Sequence, residues 1–282
     1  MIRLLRARGL LVAPSWTAFL LIFVAPLVYF FVVSFWRVSA FKMRPDASLA
    51  NYIQTVTDYN ASILFTFLVA LTIAVLVTVV AFGFSFYIRF KVGRFGDTFL
   101  FIVLITLFGG YLTKIYVWKT ILGENGVLNS ALLSLGLIRD PITVFLYNPA
   151  AVVITLGHYT LPLAILPIYG ALRGVEDTPL RCAQDLGASH WRVVRDIILP
   201  QCRIGILFAF TLTYLFAAGD YVTPQLVGGP YTSMIGVLIQ LQFGFRFNAP
   251  LGSALAFTMI AIALLTVGIV AFALREWLRP RG

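Results

Sequence analysis

Long runs without a charged residue recur along the chain and restrict it to a membrane environment. Only 11% of its 282 residues are charged and its mean hydropathy is +0.94, whereas soluble domains carry about 25% charged residues. Runs of this length cross a bilayer as α-helices. The predicted spans are Trp16–Trp36, Ala61–Ile88, a third that starts near Asp97 and is uncharged over Thr98–Thr113, Pro149–Leu172, the shorter Ile204–Gly219, and Leu251–Leu274. We therefore predict an all-α membrane protein with six transmembrane helices, organised as one domain over residues 1–282.

Basic residues between the spans predict the orientation, because an even number of spans places both termini on one side. If residues 1–9, 89–97, 173–203 and 275–282 are cytoplasmic, they hold three, three, five and three Lys and Arg residues, which is fourteen of the 21 in the chain. Cytoplasmic loops carry such an excess. We expect a multi-pass protein of the cytoplasmic (inner) membrane with both termini in the cytoplasm. The same bias accounts for the net charge of +10 without a nucleic-acid partner.

Several kinds of chemistry have no support in the sequence. A phosphate-binding loop of the form G-x-x-x-x-G-K-[ST] is absent, since no glycine directly precedes a lysine. ATP must then be bound by another subunit, and no cofactor is expected in this one. Cys182 and Cys202 lie twenty residues apart with His190 between them, which matches no common zinc spacing. We predict neither a metal site nor an enzyme.

The polar segment of residues 173–203 interrupts the apolar pattern and reads as two short helices joined at a glycine. Thr178 can cap the first helix, and Pro179 fits its first turn, where a missing N–H costs nothing. Gly187 permits a backbone turn that a Cβ would oppose. Ser189 can cap a second, amphipathic helix, which Pro200 is predicted to end.

This segment also carries a family resemblance. The stretch ALRGVEDTPLRCAQDLGASHWRVVRDIILP resembles the cytoplasmic "EAA" loop of permease subunits in binding-protein-dependent ABC importers. The matching residues are Ala183, Asp185, Leu186, Gly187, Ala188, Ile197, Leu199 and Pro200. The resemblance implies that the loop contacts an ATPase, through Thr178, Pro179, Arg181, Cys182, Ala183, Asp185, Leu186, Gly187 and Ala188.

The loop departs from the family pattern at two positions. The family's Glu falls on Arg181 and its first Ala falls on Cys182. A Glu three residues after Thr178 would complete a capping box and would favour the positive helix N-terminus. Arg181 does neither, so we expect either altered docking or a compensating acid on the partner. Asp185 lies one turn later and could pair with Arg181.

A second motif, AAGDYVTPQLVGGP at 217–230, resembles the spermidine/putrescine branch of the same family. Asp220, Tyr221 and Thr223 are its candidate pathway or gate residues. Two interpretations of Asp220 stay open: an interfacial carboxylate that caps a loop, or an acid that faces the pathway. Within the fourth span, His158 is expected to be a hydrogen-bonded histidine rather than a proton relay. Lys114 and Lys119, near the end of the third span, are expected to extend to the interface.

Together the two motifs imply a type I ABC importer permease that forms half of a translocation pathway. The implied partners are a second permease subunit, a dimer of ATPase subunits and an extracytoplasmic substrate-binding protein. A polyamine-like cation is the favoured small-molecule substrate, while aminophosphonates, opines and ferric ions stay open. The alternatives are a secondary transporter or channel subunit without an ATPase, which would need charged residues near the midplane, and an intramembrane enzyme.

Overall fold

Helices make up nearly all of the fold, since a bilayer leaves a spanning backbone no other way to satisfy its hydrogen bonds. The computed structural model describes residues 14–39, 42–230 and 232–277. In chain order the helices are α1 (Pro14–Val33), α2 (Ala50–Asp58), α3 (Asn60–Val92), α4 (Gly96–Leu107), α5 (Tyr111–Leu122), α6 (Val127–Ser134), α7 (Pro149–Arg173), α8 (Asp177–Asp185), α9 (His190–Gly219), α10 (Ile235–Gly244) and α11 (Ala249–Trp277). Two short strands, β1 (Arg37–Ser39) and β2 (Lys42–Arg44), form an antiparallel pair with Val38 opposite Met43.

Five of these helices, α1, α3, α7, α9 and α11, are long and apolar enough to cross a membrane. The helix pair α4 and α5–α6 is bent by 94° at a short break and supplies a sixth span if the pair is counted as one. The all-α fold with six spans is therefore confirmed. The break in the third span, at Gly109 and Gly110, was not predicted. The basic head at 1–9 and the last residues of the tail, 278–282, lie outside the described residues.

The described residues group into two compact units. The first contains the residues up to Asn60 together with Leu238–Ile260. Within it, the buried Asn51 amide donates to the carbonyls of Ser34, at 2.8 Å, and Trp36, at 2.7 Å. These bonds satisfy carbonyls at the end of α1, which has no further turn to pair with them. Most other side chains of α1 are exposed, which suits a helix that contacts lipid.

The second unit contains Ala61–Val237 and the residues from Ala261 onward. At its centre α7 packs along α9, and half of the α7 span is buried. A Cβ at Gly205 of α9 would lie 2.6 Å from the Pro167 carbonyl oxygen, so a side chain there would force the helices apart. Helix α7 continues through Pro162 and Pro167, since protein surrounds this part of the backbone. Both candidate functional regions lie in this unit.

Candidate functional site

The first helix of the 173–203 loop, α8, ends in a Schellman turn. The Ala188 N–H donates to the Ala183 carbonyl at 2.9 Å, and the Gly187 N–H donates to the Gln184 carbonyl at 2.9 Å. Gly187 has φ +82° with open space where a Cβ would stand. This left-handed conformation is the one that ends helices at glycine. The direction of the chain after α8 is therefore set by the backbone of this one residue.

The start of α8 differs from the sequence prediction. The N-cap is Glu176, in extended conformation and without a side-chain cap bond, so Thr178 lies inside the first turn and caps nothing. The reason is that Asp177 is part of the helix. Its acidic side chain is stabilised by the positive helix N-terminus and accepts a hydrogen bond from Arg89. Pro179 stays in the first turn, where its missing N–H is harmless. Arg181 and Cys182 are exposed.

Two ion pairs attach this loop to neighbouring helix ends. Arg89, at the end of α3, donates through Nη2 to the Asp177 carboxylate at 3.0 Å and to the Val175 carbonyl at 3.3 Å. Arg173, at the end of α7, lies 3.9 Å from the Asp97 carboxylate at the start of α4. The second pair is exposed and contributes little by itself. Arg89 is three-quarters buried, so its contacts hold α8 against the end of α3.

The second helix of the loop is continuous with the fifth span. Ser189 accepts a hydrogen bond from the Arg192 N–H at 3.4 Å and caps α9 as predicted. The prediction that Pro200 ends the helix is wrong. A π-helical turn at Val194–Ile198 precedes the proline, which then occupies the first turn of the following α-helical segment. The changed hydrogen-bond register accommodates a residue without an N–H, so the second loop helix and the fifth span form one continuous helix.

Two apolar side chains of the loop are largely exposed. Leu186 is 88% exposed and Trp191 is 67% exposed. Beside them lies a groove of about 460 Å³, lined by Phe86 and Phe90 of α3 and by Leu180 and Trp191 of the loop, among others. Exposed apolar groups rimmed by polar residues are typical of protein contact sites. A second protein could therefore hold the loop from outside the membrane.

Asp220, in the second motif, is buried and fully engaged. Its Oδ1 accepts hydrogen bonds from the Tyr111 hydroxyl at 2.5 Å and the Val222 N–H at 3.2 Å, and its Oδ2 accepts from the Thr223 N–H at 3.1 Å. Tyr111 and Thr223 also share a hydrogen bond of 2.8 Å. Asp220 is 6% exposed, Thr223 is fully buried and Tyr221 is 43% exposed. The carboxylate both caps the helical turn that follows it and joins that turn to α5.

Gly229 in the second motif and Gly236 shortly after it mark close contacts of the backbone. Gly229 has φ +73°, and a Cβ there would lie 2.4 Å from the Tyr147 carbonyl oxygen. A Cβ at Gly236 would lie 2.6 Å from the Asp220 carbonyl oxygen. The backbone at Gly229 and Gly236 is therefore packed closely within the second unit.

Sequence reasoning missed the role of the neighbouring α5 residues. Lys114 was expected to extend to the interface, yet its Nζ is inaccessible and has no hydrogen-bond partner among the described residues. It lies 5.1 Å above the centre of the Tyr159 ring. His158 was expected to be hydrogen-bonded, but it is exposed and its ring centre lies 5.6 Å from that of Trp118. A lysine within an apolar span, near a tyrosine-rich segment, was the available signal.

Metal ligation finds no support in the geometry. In the described ranges, which omit 1–13, 40–41, 231 and 278–282, no three His, Cys, Asp or Glu side chains come together as metal ligands would. Cys182 is exposed and Cys202 is buried, and neither is in a disulfide.

Comparisons with known proteins show which proteins this chain resembles. The family model described as "Binding-protein-dependent transport system inner membrane component" matches residues 14–281. The Escherichia coli K12 spermidine/putrescine transport system permease protein PotB is 28% identical over 232 residues, which cover 79% of this chain and 84% of the relative. The E. coli K12 inner membrane ABC transporter permease protein YdcU is 30% identical over 239 residues, covering 80% and 75%.

A solved structure reproduces the fold over almost the whole chain. It is a subunit in the crystal structure of a bacterial ABC transporter involved in the import of the acidic polysaccharide alginate. The TM-score is 0.76 at 15% identity, with 97% of this chain and 99% of the other covered. At this identity the likeness concerns the fold alone.

Proposed function

Because the chain belongs to the family of binding-protein-dependent transport system inner membrane components, we propose that it conducts a polyamine-like cation across the inner membrane. The chain is a multi-pass permease subunit of an ABC importer and not an enzyme. Importers of this family depend on a substrate-binding protein. The polyamine assignment is carried by one observation, the 28% identity to spermidine/putrescine permeases over most of the chain.

The energy for transport has to enter through a partner, and the 173–203 loop is the proposed entry point. An ATPase dimer would bind ATP and hold the exposed side chains of Leu186 and Trp191. Arg89 ties α8 to the end of α3, and the second loop helix continues into α9. A displacement of the loop would therefore move two spans together. A second permease subunit would supply the other half of the pathway, and both termini would lie in the cytoplasm.

Asp220 is the proposed gate residue at the outer end of the fifth span. Its carboxylate is buried beside aromatic rings, and acids at membrane depth commonly face a bundle interior or a water-filled route. The loop-cap interpretation describes its hydrogen bonds equally well. The two roles are compatible, because a cap that also binds Tyr111 of α5 can change partners when the pathway opens.

The substrate assignment is tested by uptake. The chain, its ATPase, its partner permease and its binding protein are expressed in a strain without endogenous polyamine uptake, and radiolabelled spermidine and putrescine are followed. We expect uptake that requires the binding protein and stops when the ATPase cannot hydrolyse ATP.

Competition separates the candidate substrates. Unlabelled 2-aminoethylphosphonate and an opine are added in excess to the same cells. If either compound suppresses the uptake of labelled spermidine and putrescine more strongly than the same excess of unlabelled spermidine does, the polyamine assignment is wrong. Uptake that persists with an inactive ATPase would favour a secondary transporter instead.

A further inference from the structure

The ammonium nitrogen of Lys114 is shielded from solvent although the residue is only partly buried, and the mechanism above gives this cation no use. Among the described residues, its Nζ has no hydrogen-bond or ion-pair partner. It stands in α5, within the broken third span. An ammonium in this setting is costly unless something replaces the lost water. The contact that does so is the face of the Tyr159 ring, 5.1 Å below it, which attracts a cation through its quadrupole.

Tyr159 is the middle ring of a three-ring cluster. Its ring centre lies 4.7 Å from that of Tyr111 and 4.8 Å from that of Phe216, and the latter two are 5.8 Å apart. Tyr159 belongs to α7, Tyr111 to α5 and Phe216 to α9. We call this set the ring cluster. Three helices therefore contribute one aromatic ring each to this cluster.

The cluster is biased toward cations by the carboxylate behind it. The Tyr111 hydroxyl donates to Asp220, and a phenol polarised in this way has a more electron-rich ring. Asp220 itself accepts three hydrogen bonds and contributes negative potential without forming an ion pair with Lys114. Aromatic faces next to a negative charge are a recurring way of binding ammonium groups.

Room for the lysine is left by the break in the third span. A Cβ at Gly109 would stand 3.3 Å from Lys114 Cε, so the stem of the lysine runs back over the glycine pair. The ammonium thereby lies over the Tyr159 ring, which is one of the three rings of the cluster.

We propose that the ring cluster is a binding site for a primary alkylammonium group and that Lys114 occupies it as a tethered surrogate. The end of a lysine side chain and the end of a linear polyamine are the same chemical group, a primary ammonium on a methylene chain. A substrate ammonium reaches the site by displacing Lys114, which also keeps other cations out while the site is filled. That the incoming ammonium belongs to the transported substrate rests on the proposed polyamine function, whereas the affinity of the ring cluster does not.

The competition between the tethered Lys114 ammonium and a free amine can be measured. A flexible covalent link holds its group at an effective concentration of about millimolar or more, so a free amine binds poorly while Lys114 is present. The probe is n-butylammonium, and n-butanol is its neutral control of similar shape. The transporter is purified with its partner subunits in lipid nanodiscs, and the unfolding temperature is followed against probe concentration at constant ionic strength.

We expect Lys114→Met to be stabilised by n-butylammonium at a concentration at least tenfold lower than the wild type requires, and n-butanol to have no such effect. Adding Tyr159→Leu to this variant should abolish the response, while adding Tyr159→Phe, which keeps a ring, should retain it. Equal responses of the wild type and Lys114→Met would overturn the proposal. So would an unchanged response after Tyr159→Leu, or equal stabilisation by n-butanol.

Uptake assays keep this test separate from the substrate assignment. If n-butylammonium binds as expected but spermidine is not transported, the alkylammonium site stands and the polyamine assignment fails. If spermidine is transported but the probe response is the same in all variants, the site fails and the transport function stands.

Discussion

The carboxylate of Asp220 joins two parts of the chain, because it accepts hydrogen bonds from the Tyr111 hydroxyl of α5 and from the backbone N–H groups that follow it. A sequence pattern can identify such an aspartate as a cap or as a pathway residue but cannot show that both sets of donors converge on it. Tyr111 lies 109 positions earlier in the chain. The long-range contact was therefore beyond any local signal.

Replacing Asp220 with Asn tests which role dominates. The amide keeps one acceptor oxygen, but its NH₂ group must face a donor, so at least one hydrogen bond is lost. A mispaired buried group costs about 1–3 kcal/mol, and we expect a lower unfolding temperature and reduced uptake. Tyr111→Phe is the matched control, since it leaves the backbone cap intact and removes only the link to α5.

The uptake rate is divided by the amount of folded transporter. If Asp220→Asn unfolds more easily, but the folded fraction transports substrate at the wild-type rate, Asp220 is a loop cap and has no gating role. Reduced uptake in both variants at normal assembly with the ATPase would support the gate.

At the scale of helices, the sequence predicted which helices form more accurately than it predicted the residues at which they begin and end. Gly187 and Ser189 lie where a turn and a cap were expected, because glycine in the left-handed region and serine at an N-cap have strong local reasons. Thr178 and Pro200 were misjudged. The first helix starts earlier because Asp177 binds Arg89 of a distant helix. The second continues past Pro200 because a π-helical turn absorbs the missing N–H. Both outcomes depend on tertiary contacts or on backbone register.

The coupling role of the loop is tested at Gly187. No atom lies within 4 Å of an ideal Cβ there, so a substitution acts through the backbone alone. At φ +82° a β-branched residue should cost about 1–2 kcal/mol or change the turn. We expect Gly187→Val to reach the membrane, since its apolar spans are intact, but to lose ATPase binding or ATP-driven uptake. These are measured by copurification and by substrate accumulation.

Gly187→Asn provides the comparison, because asparagine adopts the left-handed region more readily than other residues with a Cβ. It should retain most of the uptake. Normal transport by Gly187→Val would remove the loop from its coupling role. A companion variant, Arg181→Glu, restores the family's residue and should be tolerated unless the partner ATPase presents an acid to Arg181.

At the scale of the whole chain, hydropathy located the spans well, because an uncharged run of this length has few alternatives in a bilayer. It could not locate the break in the third span, since Gly109 and Gly110 are as uncharged as their neighbours. Nor did it find α10, a ten-residue apolar helix, because that helix is too short to be a span. The orientation follows from charge counts and stays a prediction.

The orientation can be tested with the two cysteines, because they differ in solvent exposure. Cys182 is exposed in the 173–203 loop, whereas Cys202 is fully buried in α9. If this loop is cytoplasmic, a membrane-impermeant maleimide should label Cys182 in inverted vesicles and leave intact spheroplasts unlabelled. Cys182→Ser should abolish the signal, and Cys202→Ser should not change it.

Val144 is 73% exposed in the connection between α6 and α7, which the same topology places outside. Val144→Cys in the Cys182→Ser background should therefore be labelled in spheroplasts. Labelling of Cys182 from outside would reverse the topology, and the loop could then no longer receive energy from a cytoplasmic ATPase.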